Sequence, residues 1–174
     1  MGCDIHAVAE RRVGGVWTAV EDQVFPLDEW EQEYRKAVAS CDPFHDRNYA
    51  VFGFLAGVRN YSGLAPIAEP RGFPKDASGL AVQAAKSWDA DGHSHSHVTL
   101  AELLAVDYDA PVEDRRITVQ TGPNSFNGGA TAAPGGGQIT TLRKRLGSMF
   151  MSHLDVLASL GAPDDVRVVF WFDN

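Results

Sequence analysis

The chain has 174 residues, with 15 Lys+Arg against 23 Asp+Glu for a formal charge of −8, and is 44% hydrophobic and 22% charged. That is ordinary globular composition with room for a single domain, 1–174, and it excludes disorder or a fibrous repeat as a description of the whole. The acidic balance excludes sequence-independent binding to DNA or RNA, whose affinity comes from neutralised phosphates, but leaves open a small phosphorylated ligand in a local basic pocket.

Residues 3–13 and 16–20 are β-prone runs joined by Gly14-Gly15, a strong hairpin signal. Alternation puts Asp4, His6 and Val8 on one face of the first strand and Ile5, Ala7 and Ala9 on the other. Residues 28–39 read as a short amphipathic helix. Asp46 is the expected N-cap of a buried helix, RNYAVFGFLAGV, in which Gly53 and Gly57 allow close approach of another element. Residues 59–77 hold three prolines and two glycines and read as loop. A third helix is expected over 78–88, an extended segment over 94–98, and a helix over 100–106 behind a Thr99/Glu102 capping box.

Residues 115–120 predict a strand, and the Gly-rich stretch 121–137 a mobile surface loop. From Gln138 the apolar residues Ile139, Leu142, Leu146, Met149, Phe150, Leu157 and Leu160 recur near the helical period. They predict one long helix stopped by Gly161 and Pro163. The segment VRVVFWFDN reads as a last strand with Val168, Phe170 and Phe172 on one face. Strands near both ends with helices between them imply an α+β fold: a mostly antiparallel sheet, with an N-terminal hairpin and a C-terminal strand, packed by about four helices.

Cys3 and Cys41 are too few for a disulfide framework and lack CxxC spacing. The opening MGCDIHAVAE lacks the regions of a signal peptide, and His6 stands where N-myristoylation prefers Ser or Thr. The apolar runs are short and interrupted. A cytoplasmic protein without a membrane or nucleic-acid-polymer partner is expected, with a homo-oligomer left open.

Four places carry candidate chemistry. Asp4 and His6 project from one side of a strand about 7 Å apart, able to bind a metal or act as acid and base, or simply to hydrogen-bond on a solvated face. His93, His95 and His97 alternate with Ser94 and Ser96, a tract that suits a divalent metal or stays an exposed polar loop. His97-Val98-Thr99 matches an H-x-T phosphoesterase module, but the second module that this chemistry needs is missing, and Thr99 caps a helix. Arg47, Arg59 and Arg71 occupy helix-start or turn settings where the guanidinium fork suits phosphate, with Tyr49, Tyr61 and Phe73 as stacking faces. Pairing with surplus carboxylates, such as Glu69 with Arg71, is the alternative use of these arginines. Trp171-Phe172-Asp173-Asn174 reads as core with a polar end, and His153, on an apolar helical stripe, as a satisfied core histidine. Walker, GxGxxG, HExxH, GxSxG and paired CxxC signatures are missing from the sequence.

Taken together, Gly2-Cys3-Asp4-Ile5-His6, Arg47-Asn48-Tyr49, Glu69-Pro70-Arg71-Gly72, Gly92-His93-Ser94-His95-Ser96 and the closing DVRVVFWFDN resemble a family of small proteins of tailed phages and prophages. The resemblance covers nearly the whole chain. It implies a phage origin and a host-cytoplasm location, but no reaction. In similar proteins the tract reads HSHSW, so His97 departs from the pattern and His93 and His95 are the better candidates.

The phage setting suggests interference with host defence, and with the Arg, Tyr and His inventory it points to a small phosphorylated, nucleotide-like ligand. Sequestration would use Arg47, Tyr49, Arg59, Glu69, Arg71, Ser94 and Ser96. A hydrolase would hold a divalent metal with Asp4, His6, His93 and His95. A protein-binding inhibitor of a host enzyme, presenting an acidic face, is the third reading.

Overall fold

The computed structural model describes residues 2–174. In chain order it contains β1 (Ile5–Val13), β2 (Val16–Ala19), β3 (Phe25–Pro26), α1 (Glu29–Arg35), β4 (Ala39–Ser40), α2 (Tyr49–Ala56), α3 (Gly79–Lys86) and β5 (His93–Thr99). It continues with α4 (Leu100–Leu104), β6 (Pro111–Asp114), β7 (Arg116–Gly122), β8 (Ser125–Thr131), β9 (Gln138–Thr141), α5 (Leu142–Leu146), α6 (Ser148–Ser159) and β10 (Val166–Phe172). The fold is α+β, with the N-terminal hairpin and the C-terminal strand in place and antiparallel pairing. Among the described residues there are six helices against the roughly four expected, and two of them, α5 and α6, stand in place of one long helix. No helix among them is long and apolar enough to cross a membrane. The chain divides into two compact units, one made of the residues up to Arg47, Pro70–Val106 and Ser148–Asn174, the other of Asn48–Glu69 and Asp107–Gly147.

The first unit is built on a four-stranded antiparallel sheet in the order β2-β1-β10-β5. β1 and β10 pair from Ile5↔Phe172 to Arg11↔Val166, so directly opposed residues share a face. One face carries Val8 and Trp171, and α3 lays Ala81 on them, with Ala77, Ala84, Ala85 and Trp88 packed around this cluster. The opposite face carries Phe170 and Phe172, both buried, and α4 packs on β10. Every residue of β10 is buried, as expected for a central strand covered on both sides. The Thr99/Glu102 capping box forms as its spacing implies.

Two buried polar groups need internal partners because neither reaches water. Glu10 is fully buried. Its carboxylate accepts from the Ser78 N–H at 2.7 Å and from Arg167 Nε at 2.7 Å. Arg167 also donates to the Asp76 carboxylate at 2.9 Å and carbonyl at 3.2 Å, and its guanidinium lies 4.0 Å over the Trp17 ring. His153 is also fully buried; its Nδ1 accepts from the Phe44 N–H at 2.8 Å while Nε2 faces the Pro26 carbonyl at 2.9 Å. An acceptor role for Nδ1 and a donor role for Nε2 fix one neutral tautomer. Burial depresses the pKa of this imidazole to about 4. The satisfied core histidine read from the helical stripe is what the structure contains.

In the second unit α2 begins two residues later than expected. Asn48, not Asp46, is the N-cap, its side chain accepting from the Ala50 N–H at 3.0 Å. Gly53 serves the expected close approach: a Cβ there would meet Asn60 Oδ1 at 2.6 Å. Residues 125–131, expected as part of a Gly-rich loop, form β8, which pairs with β7 through bulged register shifts. Bulges accept the glycines that a regular ladder disfavours.

The long helix expected from Gln138 is instead β9, α5 and α6. Ile139, counted on the apolar stripe, is 74% exposed in β9, and Gly147 ends α5 at φ +91°. Only glycine takes that conformation without strain. Gly147→Ala is therefore expected to cost on the order of 1–3 kcal/mol, read as a lower urea midpoint at unchanged m-value.

Candidate functional site

The antiparallel pairing of β1 with β10 sets Asp4, just before β1, beside Asp173, just after β10. The Asp4 N–H donates to Asp173 Oδ1 at 2.8 Å and the Asp173 N–H donates to the Asp4 carbonyl at 3.1 Å. The other carboxylate oxygen of Asp173 lies 3.2 Å from His6 Nε2. The His6 ring is stacked 3.9 Å from Trp88 and 5.8 Å from Trp171, at interplanar angles of 29° and 27°. Rotation of the imidazole is thus blocked by rings and by a carboxylate. A carboxylate accepts only, so Nε2 donates to it; in the neutral ring Nδ1 is then an acceptor, with no hydrogen-bond partner among the described residues.

His6 lies in a cleft of about 480 Å³, within the size range of small-molecule sites. α3 and Trp88 form one wall, through Leu80, Ala84 and Ser87; Arg35, Asp42 and His45 contribute the other. Asp4, Asp42 and Asp173 make the lining acidic, and Arg35 is its one Lys or Arg among the described residues. Asp4 is neutralised from the side: Arg47 Nε donates to Oδ1 at 2.6 Å and Nη2 to Oδ2, and this hydrogen bonding holds the Asp4 pKa below the usual carboxylate value. His45 has both ring nitrogens engaged, Nδ1 with the Asp42 carbonyl at 2.8 Å and Nε2 with Glu31 at 2.9 Å.

The four residues expected around a shared metal are not gathered. Strand alternation alone puts His93 and His95 on one side, but Ser94 adopts φ +51° and the β10–β5 register shifts between Phe170 and Phe172. Two residues of β5 therefore oppose one of β10. His93 stays with Phe172, while His95 stacks 6.3 Å from Trp171 on the opposite face. The Trp171 ring lies between His6 and His95. Among the described residues no group of three or more His, Cys, Asp or Glu is placed to hold a metal ion.

The arginine forks are occupied. Arg71 donates Nη2 to Glu102 Oε1 at 2.6 Å and Nη1 to Oε2 at 3.1 Å, and its backbone N–H donates to the buried Ser96 Oγ at 3.2 Å. This hydrogen bonding from Arg71 is the main reason the Glu102 pKa falls to about 2. A phosphate approaching Arg47 or Arg71 must displace a carboxylate. Ser94 Oγ lies 3.0 Å from His93 Nδ1. Tyr49, Arg59 and Glu69 belong to the second unit. There Tyr49 stands 5.8 Å from Tyr61, with Arg116 over both rings, and Arg59 takes φ +47° in the turn after α2.

Sequence reasoning did not assign Asp173, Trp88 or Trp171 to the site. The available signal was the Phe-Asp-Asn end of an aromatic strand, which gains meaning only once that strand is known to lie beside Asp4-Ile5-His6. Comparison with protein-family models, curated proteins and solved structures gives no match, so the cleft's own chemistry carries the functional reading.

Proposed function

We propose that the protein sequesters a small nucleotide-like ligand in the His6 cleft. The observation that carries this reading is His6 itself: clamped by Asp173 and two indoles, with Nδ1 open as an acceptor in a cleft of about 480 Å³. A base amine or a ribose hydroxyl supplies the donor that Nδ1 lacks, and Asp42 offers a further acceptor. Arg35, 43% exposed and 3.5 Å from Glu31, is the cation that a phosphate meets first. The resemblance to tailed-phage proteins supports a host anti-phage immune signal as the ligand and the host cytoplasm as its location.

Titration of cyclic nucleotides and ADP-ribose derivatives, followed by tryptophan fluorescence and calorimetry, tests this. Trp88→Ala is expected to weaken binding by about 1–3 kcal/mol, the range for loss of one aromatic stacking partner. Arg35→Ala should weaken phosphorylated ligands and leave the parent nucleosides unchanged. Ligand recovered intact after long incubation supports sequestration. Ligand altered, with turnover lost in His6→Gln but binding kept, makes His6 a general base and the protein an enzyme. If no nucleotide binds at tens of micromolar, the reading fails and docking onto a host protein takes its place. That second reading is favoured by Trp30 and Tyr34, whose rings stack 5.4 Å apart at 2° although they are 69% and 75% exposed.

A further inference from the structure

The other side of α3 holds a second groove, of about 530 Å³, that the nucleotide reading leaves unused. Its floor is apolar, formed by Phe73, Val82 and Ala85, and three polar side chains of different character rim it: Lys86, Asp89 and His95. Among the described residues no ion pair engages Lys86 or Asp89, and the ring nitrogens of His95 make no hydrogen bond. Arg47, Arg71 and Arg167 of the same unit are, by comparison, each matched to a carboxylate.

The rim is shaped by the backbone. Asp89 adopts φ +43°, a left-handed conformation that costs a non-glycine residue energy, directly after Trp88 has turned back onto His6. The Gly72 N–H donates to the His95 carbonyl at 2.9 Å, tying the irregular segment that carries Phe73 to β5, and the Phe73 and His95 rings meet edge-on at 6.1 Å. Burial and the charge of His93 hold the His95 pKa below the ordinary value, so the ring is a neutral donor–acceptor near pH 7.

We propose that this groove binds a small zwitterion, a free α-amino acid with an apolar side chain. Its ammonium pairs with Asp89, its carboxylate with Lys86, and its side chain lies on Phe73, Val82 and Ala85. Opposite charges on one rim above an apolar floor reject simple anions, simple cations and neutral hydrocarbons, each of which leaves one charged group unmatched. The site is separate from the His6 cleft, so it stands or falls independently of nucleotide binding.

Backbone amide NMR titration of the intact protein with free phenylalanine and leucine is the test, beside N-acetylphenylalanine, which lacks the ammonium, and phenylalaninamide, which lacks the carboxylate. Shifts are expected at residues 72–73, 82–89 and 95, with each truncated probe binding about five- to tenfold more weakly than phenylalanine. Lys86→Ala should abolish the preference for phenylalanine over phenylalaninamide, and Asp89→Asn the preference over N-acetylphenylalanine. Both positions are exposed, and asparagine tolerates the left-handed backbone, so the fold is retained. Equal affinity for all three probes, shifts confined elsewhere, or no saturation by tens of millimolar overturns the proposal.

Discussion

Glu10→Ala is expected to destabilise the protein by about 3–5 kcal/mol, the cost of stranding a buried charge. The carboxylate is fully buried, and Arg167, itself 5% exposed, loses its nearest counter-charge with it. The Ser78 N–H loses its acceptor at the same time, at the start of α3. Asp76 remains bound to Arg167, but its side chain is largely exposed and water screens it. A double change, Glu10→Leu with Arg167→Met, removes both charges and should recover much of the loss, because an apolar pair needs no partner. Urea unfolding of the three proteins measures this. A single-variant loss under 1 kcal/mol would show that the network is not what holds α3 to the sheet.

The second large effect is on acid stability. With a folded pKa near 4 against an ordinary value of 6.5, His153 binds its proton less readily in the folded protein than in the unfolded chain. Above pH 6.5 the group is neutral in both states and the full stability is present. As pH falls from 6.5 towards 4 the unfolded state gains protons first, so stability drops, by a total on the order of 3 kcal/mol. Protonation forces the choice physically: Nδ1 would gain a hydrogen and confront the Phe44 N–H.

His45, with its ring 5.0 Å away, and Glu31, bonded to it, are further ionisable side chains beside His153, so the assignment needs a variant. His153→Gln can still accept from Phe44 and donate to Pro26, but it does not titrate. Its unfolding free energy should vary less between pH 7 and 4.5 than that of the unaltered protein. Parallel profiles would place the acid sensitivity elsewhere.

Local chemistry made much of the frame legible. Gly14-Gly15 marked the hairpin, Thr99 and Glu102 marked a capping box, and alternation placed Asp4, His6 and Val8 together on one sheet face. All three are signals carried within a few residues. The failures came where local periodicity was a poor guide to burial. Ile139 continues an apolar stripe in sequence yet points outward from β9, and Gly147, inside the span expected as one helix, ends α5. The His93/His95 pair failed for a similar reason: a single left-handed residue, Ser94, reverses the side on which the next residue falls. The site was half visible. Asp4 and His6 stood out as a spaced pair, whereas Asp173 and the indoles joined them only through the pairing of strands far apart in sequence.

That long-range pairing bears on how the chain is made. β10 is the partner that both β1 and β5 require, and it leaves the ribosome after both of them. At about 5–20 residues per second, roughly 150 residues of synthesis separate the end of the hairpin from Val166, a wait of the order of ten seconds or more. During that interval the nascent hairpin keeps an open edge, and β5 has no neighbour on which to lay its histidines. The sheet cannot grow strand by strand as translation proceeds. It closes in one late step, when residues 166–172 slide between two strands already waiting, and the His6 cleft comes into existence with them.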